Sequence, residues 1–90
     1  MDHKQHLLIV DDDLEIRELL HQFLASNGFI NISTAADGKQ ARALLEKQNI
    51  DLVILDIMLP GEDGFSIAKW LREESAIPIL MLSARIETND

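Results

Sequence analysis

The sequence predicts a single α/β domain built on an open parallel β-sheet with helices on its faces. Two observations favour this fold class: short apolar runs alternate three times with segments of helical spacing, and the connections between them are short. That alternation is typical of parallel strands joined by right-handed crossovers. At 90 residues the chain has the length of one small domain, so residues 1–90 are assigned to it as a whole.

The first half contains two predicted strand and helix pairs. His6–Val10 is an apolar strand, and Gly28 is a C-cap candidate for the amphipathic helix that follows. The apolar positions of this helix are Ile16, Leu19, Leu20, Phe23 and Leu24. Residues 30–35 form a β-branched stretch that predicts a second strand. Asp37 and Gly38 start a second helix. Its inward positions are Ala41, Leu44 and Leu45.

The second half repeats the pattern. Residues 52–55 are a continuous apolar run, which suits a central parallel strand covered on both faces, and the run stops at Asp56. A turn-rich loop over residues 59–64 leads to a third helix, for which Phe65 and Trp70 are predicted packing residues. Residues 77–82 predict a fourth strand, which ends at Ser83. The three histidines have no spaced partners and are expected to be solvated: His3, His6 and His21.

The charge balance restricts the classes of partner. Sixteen acidic and eight basic side chains give a net charge of −8, which disfavours direct nucleic acid binding and favours cations or basic partner surfaces. No apolar run approaches the roughly 18 residues of a membrane span, so we expect no membrane insertion. The sequence starts without a secretory signal and contains no cysteine, and the expected location is cytoplasmic.

Aspartates follow two of the predicted strands. Asp11 and Asp12 come directly after the first strand and Asp56 ends the third. If these strands are neighbours, about 4.8 Å apart, the carboxylates converge at one edge of the sheet, where a cation would relieve their repulsion. Oxygen ligands favour Mg2+, and a metal beside a further carboxylate suggests phosphoryl transfer with Asp56 as the nucleophile. The Ser83 hydroxyl and the Ala84 amide are candidate hydrogen-bond donors to a phosphoryl oxygen.

Three segments carry a specific resemblance: LLIVDDD, VILDIMLPGEDG and IPILMLSA. In this order they resemble the receiver domain of two-component response regulators, closest in wording to receivers that precede a winged-helix DNA-binding domain, and the resemblance covers residues 6–88. It implies a flavodoxin-like doubly wound sheet of strand order 2-1-3-4-5. It also implies that Asp11 and Asp12 form the metal pair with Asp56 as phosphoacceptor. The Met58 carbonyl is then a further metal ligand, and Ser83 is the switch hydroxyl.

The resemblance further implies a sensor histidine kinase as phosphodonor and an effector domain C-terminal to the receiver. Such a module carries out only its own phosphorylation and dephosphorylation, so we do not expect an enzyme. A receiver of this family has a fifth strand that ends in a lysine, and no lysine of this sequence occupies that place. We therefore expect a receiver truncated before the fifth strand, with most of the fourth helix and the fifth helix missing. An uncovered fourth strand would favour dimerisation or strand exchange.

Two alternatives remain open at the level of sequence. The D-x-D spacing of Asp11 and Asp13 resembles haloacid-dehalogenase-type phosphohydrolases, in which Asp11 would be the nucleophile and Ser83 would end a later strand. That family's downstream acidic pair and lysine are absent, and the segment VILDIMLPGEDG stays unexplained. The second alternative is an inactive fragment that serves only as an interaction module.

Overall fold

A computed structural model describes residues 3–57 and 64–82 of the chain. The elements in chain order are β1 (His6–Val10), α1 (Leu14–Ser26), β2 (Asn31–Ala35), α2 (Gly38–Lys47), β3 (Leu52–Asp56), α3 (Gly64–Glu74) and β4 (Ile79–Leu82). The predicted roles of Met58, Ser83 and Ala84 lie outside the described residues. Within the described ranges, no helix is both long enough and apolar enough to cross a membrane.

The four strands form one parallel sheet in the order β2-β1-β3-β4. The α/β class and the doubly wound order are therefore confirmed. The register pairs Val10 with Leu55, and Asp56 with Leu82. Because parallel strands start at the same edge, β1 and β3 run side by side and end together. This pairing brings the residues after β1 next to the last residue of β3.

The core lies between the sheet and the helices α2 and α3. Alternate residues of the two central strands, Leu8, Val10, Val53 and Leu55, form one buried cluster with Ala41 of α2 and with Ile67, Ala68 and Leu71 of α3. The intervening side chains of β1, Leu7 and Ile9, are also fully buried, on the opposite face of the sheet. Burial on both faces explains why the central strands are continuous apolar runs.

Aspartate side chains cap the N-termini of α1 and α2. The Asp13 carboxylate accepts a hydrogen bond from the Glu15 amide at the start of α1, and Asp37 accepts one from the Gln40 amide at the start of α2. At the other end of α1 the C-cap is Asn27, and the predicted Gly28 follows it with a φ of 96°. The glycine reverses the chain in the left-handed region, where a side chain would be strained.

The prediction that Phe65 is a packing residue was wrong, because this side chain of α3 is 62% exposed. Leu19 and Phe23, two apolar positions of α1, are exposed to the same extent. Helical spacing places such residues on one side of a helix, but the sheet covers only part of that side. The strand bounds also differ from the prediction, because Ile30 lies outside β2 and β4 starts at Ile79 rather than at residue 77.

The prediction that the histidines are all solvated was wrong for His6. Its side chain is half-buried at the start of β1, and its Nε2 atom lies 2.6 Å from the Ser33 hydroxyl. Its backbone also exchanges hydrogen bonds with Asp51, at 2.7 Å to the carboxylate and 2.8 Å from the Asp51 amide. These contacts link the start of β1 to the middle of β2 and to the residue before β3, at the end of the sheet opposite to Asp11, Asp12 and Asp56.

Candidate functional site

The carboxylates of Asp11, Asp12 and Asp56 converge at the carboxyl ends of β1 and β3. One oxygen of each side chain lies within 4.8 Å of the corresponding oxygens of the other two. Asp11 and Asp56 are buried, at 7% and 8% exposure, whereas Asp12 is exposed. The sequence predicted this convergence from neighbouring strands, and the geometry of the three side chains agrees with it.

Asp11 is held by hydrogen bonds on both sides. Its amide donates to the Ala35 carbonyl at 3.1 Å, which continues the pairing of β1 with β2, and its carboxylate accepts from the Asp13 amide at 2.9 Å. Burial raises the pKa of the Asp11 carboxyl above its ordinary value, and the negative charges of Asp56 and Asp12 raise it further. The bond from the Asp13 amide acts in the opposite direction but does not cancel the rise.

Asp56 is the last residue of the central strand β3, and two hydrogen bonds fix the backbone directly after it. The next residue, Ile57, donates its amide hydrogen to the Leu82 carbonyl of β4 and accepts one from the Gly64 amide of α3. A Cβ atom on Gly64 would lie 2.5 Å from the Asp56 carbonyl oxygen, so only glycine allows α3 to start this close to β3. Sequence reasoning assigned Gly64 to the loop and missed this contact.

Arg17 is a second residue of the site that sequence reasoning missed. It lies in α1, half-buried, and its guanidinium donates a hydrogen bond of 2.7 Å to the backbone carbonyl of Asp11. A basic residue six positions after Asp11 is visible in the sequence, but the spacing by itself does not indicate a contact with a backbone oxygen.

The arrangement suits a hard divalent cation. The donors are carboxylate oxygens from three side chains, two of them buried. Burial, and to a lesser extent the neighbouring negative charges, raise the pKa of Asp11, so a bound cation would stabilise its charged form. Oxygen-only ligands with one exposed side match Mg2+, which binds a few carboxylates and keeps several water molecules. The exposed carboxylate of Asp12 leaves that side open to solvent and to a ligand.

A protein-family model described as the response regulator receiver domain matches residues 7–90. The chain belongs to the response regulator receiver family. The three sequence segments had predicted this family, and the strand order that the resemblance implies agrees with the order of the four described strands. The interpretation of the chain as a phosphohydrolase with Asp11 as nucleophile is not favoured, since the receiver family match covers residues 7–90, including the segment around Asp56.

Curated relatives include proteins described as transcriptional regulators. The chain is 51% identical over 85 residues to Protein PetR of Rhodobacter capsulatus, which covers 94% of the chain and 35% of PetR. It is 44% identical over 81 residues to the probable transcriptional regulator ycf27 of Cyanidium caldarium, which covers 90% of the chain and 32% of that protein. The chain thus spans about a third of the length of these relatives.

Solved structures of response regulators share this fold. The response regulator TrrA of Thermotoga maritima, solved in complex with Mg2+ and BeF, is 39% identical with a TM-score of 0.84, and the match covers 90% of this chain and 70% of that one. The chemotaxis response regulator CheY4 of Vibrio cholerae is 34% identical with a TM-score of 0.85, covering 93% and 72%. The similarity extends over nearly all of this chain.

Proposed function

We propose that Asp56 accepts a phosphoryl group in an Mg2+-dependent reaction, and that Asp11 and Asp12 hold the metal together with Asp56. The observation that supports this most directly is the convergence of the three carboxylates within 4.8 Å at the ends of β1 and β3. The Mg2+ and BeF complex of TrrA, a receiver of similar fold, supports the same assignment. The proposal makes the chain a phosphoacceptor rather than an enzyme that turns over a separate substrate.

In the proposed reaction, a carboxylate oxygen of Asp56 attacks the phosphorus of a phosphodonor. A new P–O bond forms to Asp56, while the bond between phosphorus and the donor breaks and the electron pair leaves with the donor. When bound, Mg2+ neutralises negative charge on the phosphoryl oxygens. Burial of Asp56 and the fixed backbone around Ile57 hold the nucleophile in one position and limit the entropy lost on reaction.

Asp11 and Asp12 divide the work of holding the metal. The buried carboxylate of Asp11 is oriented by the Asp13 amide and is ready to bind without rearrangement. The exposed carboxylate of Asp12 can approach the metal directly or through water. Asp13 is engaged as the N-cap of α1 and is not assigned to the metal.

Three further residues complete the proposed site. The proposal assigns the Met58 backbone carbonyl as a metal ligand, the Ser83 hydroxyl as the switch group on the phosphoryl oxygen, and the Ala84 amide as a second donor. Family membership supports these assignments, since Met58 follows the phosphoacceptor by two residues and Ser83 follows β4.

The proposed phosphodonor in the cell is a sensor histidine kinase, and the proposed output is an effector domain in a longer protein. Two relatives are described as the probable transcriptional regulator ycf27, which supports an effector that acts on transcription. The acidic charge of −8 argues that DNA contacts are made by the effector and not by this segment. The proposed location is the cytoplasm, which these two proposed roles support.

The experiment is an intact-mass measurement after incubation with Mg2+ and acetyl phosphate. The chain should gain the mass of one phosphoryl group, and Asp56→Asn should gain none. Asp13→Asn is the matched control, because it removes a neighbouring carboxylate while asparagine still caps α1. Removal of Mg2+ by a chelator should abolish the gain in mass of the unaltered chain.

Retention of the phosphoryl mass in a folded Asp56→Asn protein would refute the assignment of the phosphoacceptor. If the unaltered chain gains no mass, an extended chain of the length of the solved receivers should be tested. If only the extended chain gains the phosphoryl mass, the acidic site needs residues beyond 90. If neither chain gains it, the proposed function is refuted.

A further inference from the structure

We infer that Arg17 is a positioning residue for the metal site. Arg17 acts through the peptide bond between Asp11 and Asp12. This inference rests on the proposed metal-binding role of the two aspartates. Its basis is the hydrogen bond of 2.7 Å from the Arg17 guanidinium to the Asp11 carbonyl oxygen. A bond from a charged donor is stronger than one between neutral groups, so this contact holds the carbonyl firmly.

The Asp11 carbonyl and the Asp12 amide belong to one planar peptide unit. Fixing the carbonyl oxygen therefore fixes the plane from which the Asp12 backbone continues. The Asp11 amide is bound to Ala35 and the Asp11 carboxylate to Asp13, so the contact with Arg17 anchors the third polar group of the same residue. The exposed Asp12 side chain then depends on this peptide plane for the direction in which it leaves the chain.

The location of Arg17 goes against the electrostatic preference of the helix. It is the fourth residue of α1, at the end where the helix dipole is positive and favours acidic side chains. Glu15 of the same turn follows that preference, and Arg17 does not. The carbonyl that Arg17 binds explains a cation at this position. That carbonyl belongs to Asp11, the residue directly after the part of β1 that pairs with β3.

A general effect of positive charge is the competing explanation. An arginine bound to the backbone of Asp11 could act only through its charge, and its removal would then alter cation binding in the same way as removal of any arginine. Arg42 provides the matched control, because it has the same charge and lies over the Trp70 ring, 5.2 Å from the centroid, on α2. Arg17→Met and Arg42→Met change the net charge equally.

The test is an Mg2+ titration of the 15N-labelled chain, followed through the amide chemical shifts in the absence of phosphodonor. Arg17→Met should weaken Mg2+ binding by about tenfold or more, which is the size of effect expected for a residue that orients a metal ligand. Arg42→Met should leave the dissociation constant within about twofold, because this half-buried charge lies on a different helix, over the Trp70 ring. Arg17→Lys keeps the charge and one donor, and should recover at least half of the loss on a logarithmic scale.

Far-UV circular dichroism and thermal melting identify the variants that are folded. If Arg17→Met does not fold, Arg17→Lys takes its place, with an expected loss of about threefold as an imperfect replacement for the planar guanidinium. Equal losses in the Arg17 and Arg42 variants would overturn the inference, as would unchanged Mg2+ affinity in a folded Arg17 variant. An unaltered chain that binds no Mg2+ would overturn the proposed metal site itself, and the inference with it.

Discussion

Gly64 contacts the backbone of Asp56 so closely that the start of α3 and the end of β3 leave no space for a side chain. A Cβ atom on Gly64 would lie 2.5 Å from the Asp56 carbonyl oxygen and 2.5 Å from the Ile57 Cα atom. Both neighbours are backbone atoms, which cannot move aside as the end of a flexible side chain can. The helix that follows the proposed phosphoacceptor is therefore placed by the absence of a side chain.

Gly64→Ala is predicted to destabilise the chain and to displace Asp56. The expected loss is about 1–3 kcal/mol in the free energy of unfolding, as for other overpacked sites, even though alanine is the better helix former. Urea denaturation measures the loss. Phe65→Ala is the control, because this neighbouring side chain is exposed and its removal should change stability by less than about 0.5 kcal/mol. Equal stability of Gly64→Ala and the unaltered chain would contradict the close approach.

Asp11→Asn is predicted to stabilise the metal-free chain at neutral pH. Burial and neighbouring charges raise the pKa of Asp11 above its ordinary value of 3.8, so the folded state binds this proton more tightly than the unfolded state. Stability therefore decreases as the pH rises from about 3.8 through the raised pKa. Asparagine removes the charge and keeps an oxygen for the Asp13 amide.

The measurement for Asp11 is thermal melting in the presence of a chelator, from acid to neutral pH. The difference in Tm between Asp11→Asn and the unaltered chain should grow with pH, by about 4–8 °C for each kcal/mol of repulsion that is removed. Asp37→Asn, which keeps the N-cap of α2, should show no such growth. A difference that is constant across the pH range would argue against a raised pKa.

Mg2+ is predicted to raise the Tm of the unaltered chain, because a ligand that binds only the folded state stabilises it. At a concentration one hundred times the dissociation constant, the gain is about 2.7 kcal/mol. Asp12→Asn should lose most of this gain, while Asp13→Asn should keep it, since Asp13 is engaged as a helix cap. Ca2+ and Na+ at equal ionic strength separate a specific site from general screening of the acidic chain. The prediction fails if Asp12→Asn and Asp13→Asn respond alike.

Self-association of this 90-residue chain is predicted through β4. This strand lies at the edge of the sheet formed by the described residues, and Leu80 on it is 51% exposed. An apolar sheet edge pairs readily with another chain. Light scattering at about 100 micromolar should detect dimers or larger species, and Leu80→Lys should reduce them because a charge protects an edge strand.

Phe65→Lys is the control for self-association. It also replaces an exposed apolar side chain by lysine, but on α3 rather than on the sheet edge, so it should leave the association unchanged. A monodisperse monomer at this concentration would refute the prediction. An equal reduction by both lysine variants would assign the association to general hydrophobicity.

The sequence predicted those parts of the site that follow from periodicity. Asp11, Asp12 and Asp56 stand immediately after apolar runs, and neighbouring parallel strands must end together, so their convergence needed only the pairing of β1 with β3. The full strand order could not be predicted in this way. It was predicted from the resemblance to a family and not from the residues themselves. Patterns identify strands but do not determine which strands are neighbours.

The features that were missed depend on distances between elements. Arg17 contacts a backbone oxygen, and Gly64 lies against a backbone, so neither contact follows from side-chain patterns. The exposure of Phe23 and Phe65 also does not follow from side-chain patterns, since both lie at apolar positions of helical spacing. Helical spacing shows which residues share a face, whereas the extent of that face that is covered depends on how the helix lies on the sheet.

The backbone of Ile57 links the end of β3 to two other elements at once. Its amide binds the Leu82 carbonyl of β4, and its carbonyl binds the Gly64 amide of α3. The amide hydrogens of Ile57 and Gly64 should therefore exchange with solvent together, in a single opening event, rather than independently. A covalent change at the adjacent Asp56 would alter the exchange of both, so this pair of amides is a built-in reporter of the state of the site.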